Sequence, residues 1–338
     1  MIDLLVAGGG PAGLATAIHG ARAGLDVVVV ERRRGTLDKA CGEGMMPHTV
    51  GHLARLGVAP DGMPLRGIAY VDGDQRIEAT FRTGPGRGVR RTVLHAALLA
   101  AAHDAGVRFV HEDIGPVSQD AASVHAAGLQ ARYLAAADGL HSPIRRALGL
   151  SRPCRGARRW GIRHHVQTAP WSDHVEVHWG PCSEAYVTPV ADDCVGVAIL
   201  SSTRGGFDRH LSDFPALMAR VAGHAHGPDR AAGPLRQKAR SRTAGRVLLV
   251  GDAAGYIDAL TGEGVGMAFG AAELLVNCVV TQRTSEYDRR WLALTRRYRL
   301  LTAGLVRVGS VPLMRSRIVP TAQTMPHVFA RVVNELAA

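Results

Sequence analysis

Along this 338-residue chain the hydrophobic positions keep two different periods, and each change of period marks a change of element. Residues 4–7 form a short unbroken apolar run, residues 11–23 a stretch of small residues at helical spacing, and residues 27–30 four consecutive valines. Continuous apolar runs around a small-residue helix predict a strand–helix–strand opening in which both strands are buried. A helix is predicted over 49–56. Alternation then takes over at 68–71 and 76–81, with Asp72, Gly73 and Asp74 between them as a hairpin signal. Helical spacing returns at 91–105. Residues 107–110, Val117, Val124 and 133–136 then read as strands of a second small sheet.

From 160 to 200 the pattern is alternating again, at 174–179, 185–190 and 195–200, and predicts an antiparallel sheet. Residues 246–250 are a buried strand entering a glycine-rich turn, and a helix starts near Gly264. Beyond it Trp291, Leu294, Tyr298, Leu301, Leu305 and Val308 recur every three or four residues, the mark of one apolar helix face. The pattern predicts an α/β protein with a discontinuous Rossmann-like domain from 1–150 and 240–285. An antiparallel substrate domain over 151–239 interrupts it and takes in a hairpin at 60–90, and helices follow over 286–338.

Composition narrows the function classes. A formal charge of +11 could suggest nucleic acid, but lysine occurs only at Lys39 and Lys238, and the arginines are spread along the whole chain with few aromatics between them. That spread argues for a solvated surface rather than a phosphate-binding face. Five cysteines at irregular spacing suit free thiols better than a disulfide framework. The first residues run straight into a strand without a basic, apolar leader, so a cytoplasmic address is expected. The stretch 264–280 contains Glu273 and is too short and polar to span a bilayer. Sixteen histidines include close pairs, yet none is completed by a cysteine or carboxylate into a ligand set, and no metal is expected.

The chemistry concentrates in glycine-rich turns. Gly8, Gly10, Pro11, Ala12 and Gly13 follow the first strand, and Glu31, with Arg32 beside it, closes the second. Here Gly8 makes the tight turn, Gly10 lets the backbone approach a pyrophosphate, and Gly13 lets helix and strand pack closely. The helix amino terminus then faces the phosphates, and Glu31 accepts hydrogen bonds from ribose hydroxyls. Later, a strand ends at Gly251 and Asp252 and enters a turn containing Gly262, Gly264, Val265 and Gly266. An acid at that place can hold ribityl hydroxyls, and helix-terminal NH groups can face the pyrimidine edge of a flavin. Together the two turns predict FAD rather than NAD as the resident dinucleotide.

Three motifs in order, GGGPAG with Glu31, Asp138 to Arg145 in ADGLHSPIR, and Asp252 in VGDAAG, resemble the p-hydroxybenzoate hydroxylase-type flavoproteins. That superfamily includes group A monooxygenases, flavin halogenases and geranylgeranyl reductases. The resemblance implies that the first motif binds ADP, the second lies near the pyrophosphate and is linked to nicotinamide use, and the third holds the ribityl chain. It also implies that Arg91 reaches toward the FAD and that Ile114 gives backbone contacts to adenine. The plain alternatives are a surface arginine and an ordinary strand residue.

LTGEGVGMA resembles the turn of the reductase branch, although the proline usual before it is absent. The segment from Lys39 through Cys41, Gly42, Glu43, Met46 and Pro47 resembles the reductases' CG-rich loop and also the halogenases' GE segment. Cys41 is thus a candidate flavin-facing thiol and Glu43 a candidate proton carrier, the alternative being a loop that only packs on the cofactor. Tyr186, with Met46 and Pro47, is a candidate wall of the substrate cavity or a packing residue. The tryptophan-rich segment of halogenases is missing.

The two loops resemble the reductase branch, which is broad and includes many tailoring oxygenases, so the sequence leans slightly to NAD(P)H-dependent monooxygenation of an apolar aromatic or polyketide-like molecule. The alternatives are reduction of carbon–carbon double bonds and a noncatalytic flavin-binding module. The arginines among the carboxy-terminal helices admit a peripheral membrane contact as well as a solvated face.

Overall fold

A computed structural model of the chain describes residues 1–154, 156 and 158–337. Its first sheet runs in the order Thr243–Ala244, Val247–Leu249, Leu129–Ala136, Ile2–Ala7, Val27–Val30 and Arg108–Val110. The last five strands are mutually parallel. Parallel strands are covered on both faces, which is why they read as apolar runs without alternation. The chain leaves Ile2–Ala7 toward one edge, then returns to build Leu129–Ala136 on the other side. That reversal opens a crevice at the carboxyl ends of the central strands, where ligands of such sheets bind. Gly8, Glu31, Asp138 and Gly251 all stand just beyond those ends.

One expectation is corrected here. Arg108–Val110 and Leu129–Ala136 belong to this main sheet, and only Ser118–Gln119 and Val124–Ala126 hang from it as an antiparallel ribbon. Short buried strands carry no signal for which neighbour they pair with, so the sequence pattern alone could not assign them.

The second sheet has the order Arg230–Ala232, Trp160–Val166, Cys194–Ser201, Ser183–Ala191, His174–Trp179, Gly67–Asp72 and Gln75–Thr80. Every pair is antiparallel except His174–Trp179 against Gly67–Asp72. Its alternation feeds two cores. Ala185, Val187, Val197 and Ile199 meet Phe207, Leu211, Phe214 and Leu217 on one face. Val177, Trp179, Tyr186 and Leu200 meet Val319, Phe329 and Val333 of the carboxy-terminal helices on the other. Gly44–Met45, Gly86–Gly88 and Met63–Leu65 form a small sheet between the two large ones.

The long helix Tyr287–Gly309 buries only part of the face its apolar spacing predicts: Trp291 is buried and Tyr298, Leu301 and Leu305 are half-buried. Tyr287, Trp291, Thr295, Thr302 and Gly309 point inward, while Leu294 and Val308 are exposed. No helix among the described residues is long and apolar enough to cross a membrane.

Candidate functional site

Beyond Ile2–Ala7 the backbone turns at Gly8 with φ of 109°, a left-handed conformation open to glycine, and a β-carbon there would lie 2.6 Å from the Ala137 carbonyl oxygen. A β-carbon on Gly13 would overlap the Gly8 carbonyl oxygen, so the helix Pro11–Arg22 seats directly on the turn that precedes it. Gly10 faces open space. Gly9 NH donates to Glu31 Oε2 at 3.0 Å, joining the loop to the end of the second strand. Glu31 is also gripped by Arg33, through its backbone NH at 3.1 Å and its Nε at 2.9 Å. Burial pushes the Glu31 carboxyl up, but the Arg33 and Gly9 hydrogen bonds outweigh it and hold the group below its usual range. Arg32 instead points outward to Asp113 at 3.8 Å, both side chains being exposed. Two adjacent arginines after a strand point to opposite sides, and sequence spacing does not say which turns back.

His95 had no signal in the sequence. It is buried on the helix Arg91–Asp104, pairs through Nε2 with the Gly9 carbonyl at 2.8 Å, and accepts at Nδ1 from Leu37 NH at 3.3 Å. Burial lowers its pKa, so a neutral ring braces the glycine loop.

Asp138 accepts from Ile144 NH at 3.0 Å through Oδ2, while its buried Oδ1 has no hydrogen-bond partner among the described residues. Ser142 caps the short helix Pro143–Ala147 by accepting from Arg145 NH at 2.9 Å. Arg145 is buried and donates to the carbonyls of Leu140 at 3.0 Å and Ala253 at 2.9 Å, and to Gln237 Oε1 at 2.9 Å. It therefore ties the second motif to the third. Asp252 is driven up in pKa by burial, against the opposing fields of Lys39, Arg91 and Arg145. Arg91, at the start of its helix, leaves a buried Nε without a partner.

The loop from Lys39 to Pro47 meets the turn at Gly262, where a β-carbon would lie 3.7 Å from Met46 Cε. Cys41 is half-buried, its thiol pushed up in pKa by burial, and its Sγ accepts from Glu43 NH at 3.4 Å. Gly42 is exposed, and its carbonyl accepts from Thr188 Oγ1 at 2.8 Å. Glu43 is the larger surprise. Its φ is 61°, it is 3% exposed, Oε1 accepts from Arg91 NH at 2.7 Å, and Oε2 pairs with His165 Nε2 at 2.7 Å. Arg163 lies 3.8 Å from the same carboxylate and also pairs with Asp38. Both oxygens are thus engaged internally, with the Arg91 backbone and His165, which suits Glu43 to hold the loop in place.

Gly266 also has a packing part. A β-carbon on it would overlap Thr49 and His48, so it serves the close approach of the helices Gly264–Val280 and Pro47–Arg55. A Gly266→Ala variant should lose about 1–3 kcal/mol of stability by overpacking, measurable by urea unfolding, with the flavin spectrum of the folded fraction unchanged. Val265 packs its side chain on the main core. Gly264 faces Tyr256. His48 also pairs with Glu263 at 3.2 Å, clipping the turn to that neighbouring helix.

Tyr186 is buried and donates to the Leu260 carbonyl at 3.0 Å. It anchors the glycine turn to the second sheet; its neighbours Met46 and Leu260 share the same core, and Pro47 opens the adjoining helix. Ile114 lies outside any strand, and its carbonyl already accepts from Ala127 NH at 3.1 Å. Among the described residues, no three His, Cys, Asp or Glu side chains gather as a metal-binding group.

The sequence matches the family described as FAD binding domain over residues 1–278. The chain belongs to that FAD binding domain family. It is an FAD-dependent oxidoreductase of the p-hydroxybenzoate hydroxylase type. Menaquinone reductase of Mycobacterium tuberculosis is 30% identical over 81% of this chain and 76% of its own length. Digeranylgeranylglycerophospholipid reductase 1 of Methanothermobacter thermautotrophicus is 27% identical over 85% of this chain and 81% of its own. Aklavinone 12-hydroxylase DnrF of Streptomyces peucetius is 32% identical over 46% of this chain and 39% of its own. A single-residue mutant of the halogenase PltM, in complex with FAD, shares the fold, with a TM-score of 0.80 at 16% identity over 98% of this chain and 82% of its own.

The residues fit FAD. Open space in front of Gly10 leaves room for a pyrophosphate at the helix amino terminus, where free NH groups stabilise negative charge. Unpartnered buried atoms, Asp138 Oδ1 and Arg91 Nε, lack the bonds that buried polar groups normally make and that a polar ligand can supply. Asp252, raised by burial without a donor of its own, is suited to accept ribityl hydroxyls. Both Glu31 oxygens are already engaged by Gly9 and Arg33, so a ribose hydroxyl would share their remaining lone pairs.

Proposed function

We propose that this protein reduces a carbon–carbon double bond in an elongated apolar molecule of isoprenoid type, with NAD(P)H as electron donor. The observation that carries this reading is the extent of the kinship: the named reductases match most of the chain, the named hydroxylase less than half of it. It favours reduction over the oxygenation toward which the sequence alone slightly leans.

FAD, when bound, carries the hydride equivalent that such a reduction requires. The chain must then supply a proton, orientation and a dry surround. Cys41 is the proton source in this reading: burial holds its thiol above the ordinary range, so it stays protonated through neutral pH. Glu43 fixes the loop that presents it, through the Arg91 backbone and His165. The apolar molecule approaches by the carboxy-terminal helices, where Val308, Leu313, Met314 and Ile318 line a groove of about 580 Å³. Leu313 is 75% exposed, and Arg317 sits beside it, an arrangement suited to contact with anionic lipid.

The test is product analysis with FAD-loaded protein, NADPH and geranylgeranyl-bearing lipid. A product heavier by two hydrogens per double bond supports reduction. One gaining an oxygen atom supports the second reading, hydroxylation, which the match to the aklavinone hydroxylase favours. No consumption of NADPH with any acceptor would leave a noncatalytic flavin-binding protein. Turnover should persist through neutral pH and fall as pH rises through the raised thiol pKa, because the acid form is then lost. Cys41→Ala should lower turnover about a hundredfold and remove that alkaline limb while retaining FAD.

A further inference from the structure

Behind the Asp252 turn lies a cleft of about 610 Å³ that the glycine loop does not touch. Its walls are the segment 236–242, the turn at Gly251 and Gly255, and the facing sides of the helices Gly264–Val280 and Tyr287–Gly309. Seven of its 24 lining residues are cationic, against 40 of 338 in the whole chain, and its one acid is Asp252. An arginine-rich chain lines any cleft with some arginine, but this concentration is more than twice the average.

Several of these charges also lack a carboxylate partner. Arg152, Lys238, Arg240 and Arg296 pair with no carboxylate among the described residues. Arg242 is held by Asp288 at 3.1 Å and stacks on Trp291, its guanidinium carbon 4.4 Å from the ring centre. Among the described residues Arg299 has only the same ring, at 5.8 Å. Burial, and the neighbouring charge of Arg242, lower the Arg299 pKa.

We propose that this cleft binds the phosphates of a pyridine dinucleotide, the electron donor of the reading above, on Arg240, Arg296 and Arg299. The volume suits a small molecule and is concave, unlike a surface that rests on lipid. More positive charge gathers than a pyrophosphate alone needs, so a ligand with a further phosphate, NADP(H), is preferred over NAD(H). Gly251, Asp252, Tyr256 and Gly264 line one part of the cleft, and Asp252 is the acid suited above to the ribityl chain. A dinucleotide anchored by its phosphates in the cleft can therefore extend toward the flavin, which a lipid headgroup has no need to do. The site rests on the donor reading, and the experiment separates the two.

FAD-loaded protein is titrated calorimetrically with NADP⁺, NAD⁺ and inorganic pyrophosphate, and flavin reduction by NADPH is followed anaerobically. The variants are Arg240→Glu with Arg296→Glu, and Arg240→Lys with Arg296→Lys. NADP⁺ should bind more tightly than NAD⁺, weaken with salt, and lose on the order of a hundredfold in affinity in the Glu pair at unchanged FAD content and melting temperature. The Lys pair should keep most of the binding. Equal NADP⁺ affinity and equal reduction in wild type and the Glu pair would overturn the cleft but leave the donor reading standing. Variant-sensitive NADP⁺ binding without flavin reduction would leave the cleft and remove the donor reading. A Glu pair that loses binding only to phosphatidylglycerol vesicles, or a wild type that binds no nucleotide, would overturn the proposal.

Discussion

A Gly13→Ala chain is expected to emerge from purification without FAD. The new β-carbon would overlap the carbonyl oxygen of Gly8, a backbone atom that cannot swing aside as a side chain can. Gly8 cannot retreat either, since it is held at φ of 109° against the Ala137 carbonyl. The helix Pro11–Arg22 must lift from the sheet, taking with it the NH groups that face the phosphates. Overpacking of this kind costs about 1–3 kcal/mol or more, and the loop geometry is lost along with it. The ratio of flavin to protein absorbance measures the effect. Gly10→Ala is the matching control: its β-carbon meets open space, so the fold should be kept while FAD binding weakens. Full flavin content in Gly13→Ala would sink the account of the loop.

Removing Glu43 should produce the largest loss of stability of any single change near the site. Its carboxylate is fully buried, faces Arg163 and His165, and accepts the Arg91 backbone NH. Deleting it leaves Arg163 with Asp38 alone and the Arg91 backbone NH and His165 without their acceptor, at a cost of about 1–3 kcal/mol for each buried group left unsatisfied. Glu43→Ala should therefore shift the urea midpoint strongly downward. Glu43→Gln keeps an acceptor for Arg91 NH and should recover part of the loss. If instead the Gln variant is as stable as wild type yet inactive, Glu43 acts chemically, and the positioning role is wrong. The positive φ at Glu43 adds to the case, because strained non-glycine residues persist only where their surroundings hold them.

The three flavin motifs could be read without a structure because each is a local strand–turn–helix unit. Turn chemistry and helix-terminal electrostatics act within a few residues, so spacing alone carries them. Their meeting in one crevice follows from the parallel sheet, whose strand ends place Gly8, Asp138 and Asp252 side by side. The contacts that Arg32, Gly266 and Glu43 make inside the protein could not be read from the sequence, for a common reason. Each depended on which way a side chain or helix face turns toward a partner far along the chain. His95 reaches Gly9 across 86 residues, and His165 reaches Glu43 across 122. No periodicity encodes such pairs.

The sequence by itself thus determined the cofactor and the class of fold, since hydrophobic period and glycine turns are properties of short segments. Only the tertiary structure decided which groups brace the loops, which remain unpartnered for a ligand, and that arginines from three separate segments gather in one cleft. Those outcomes are set by packing between distant elements, where burial turns a solvated charge into a fixed and costly one.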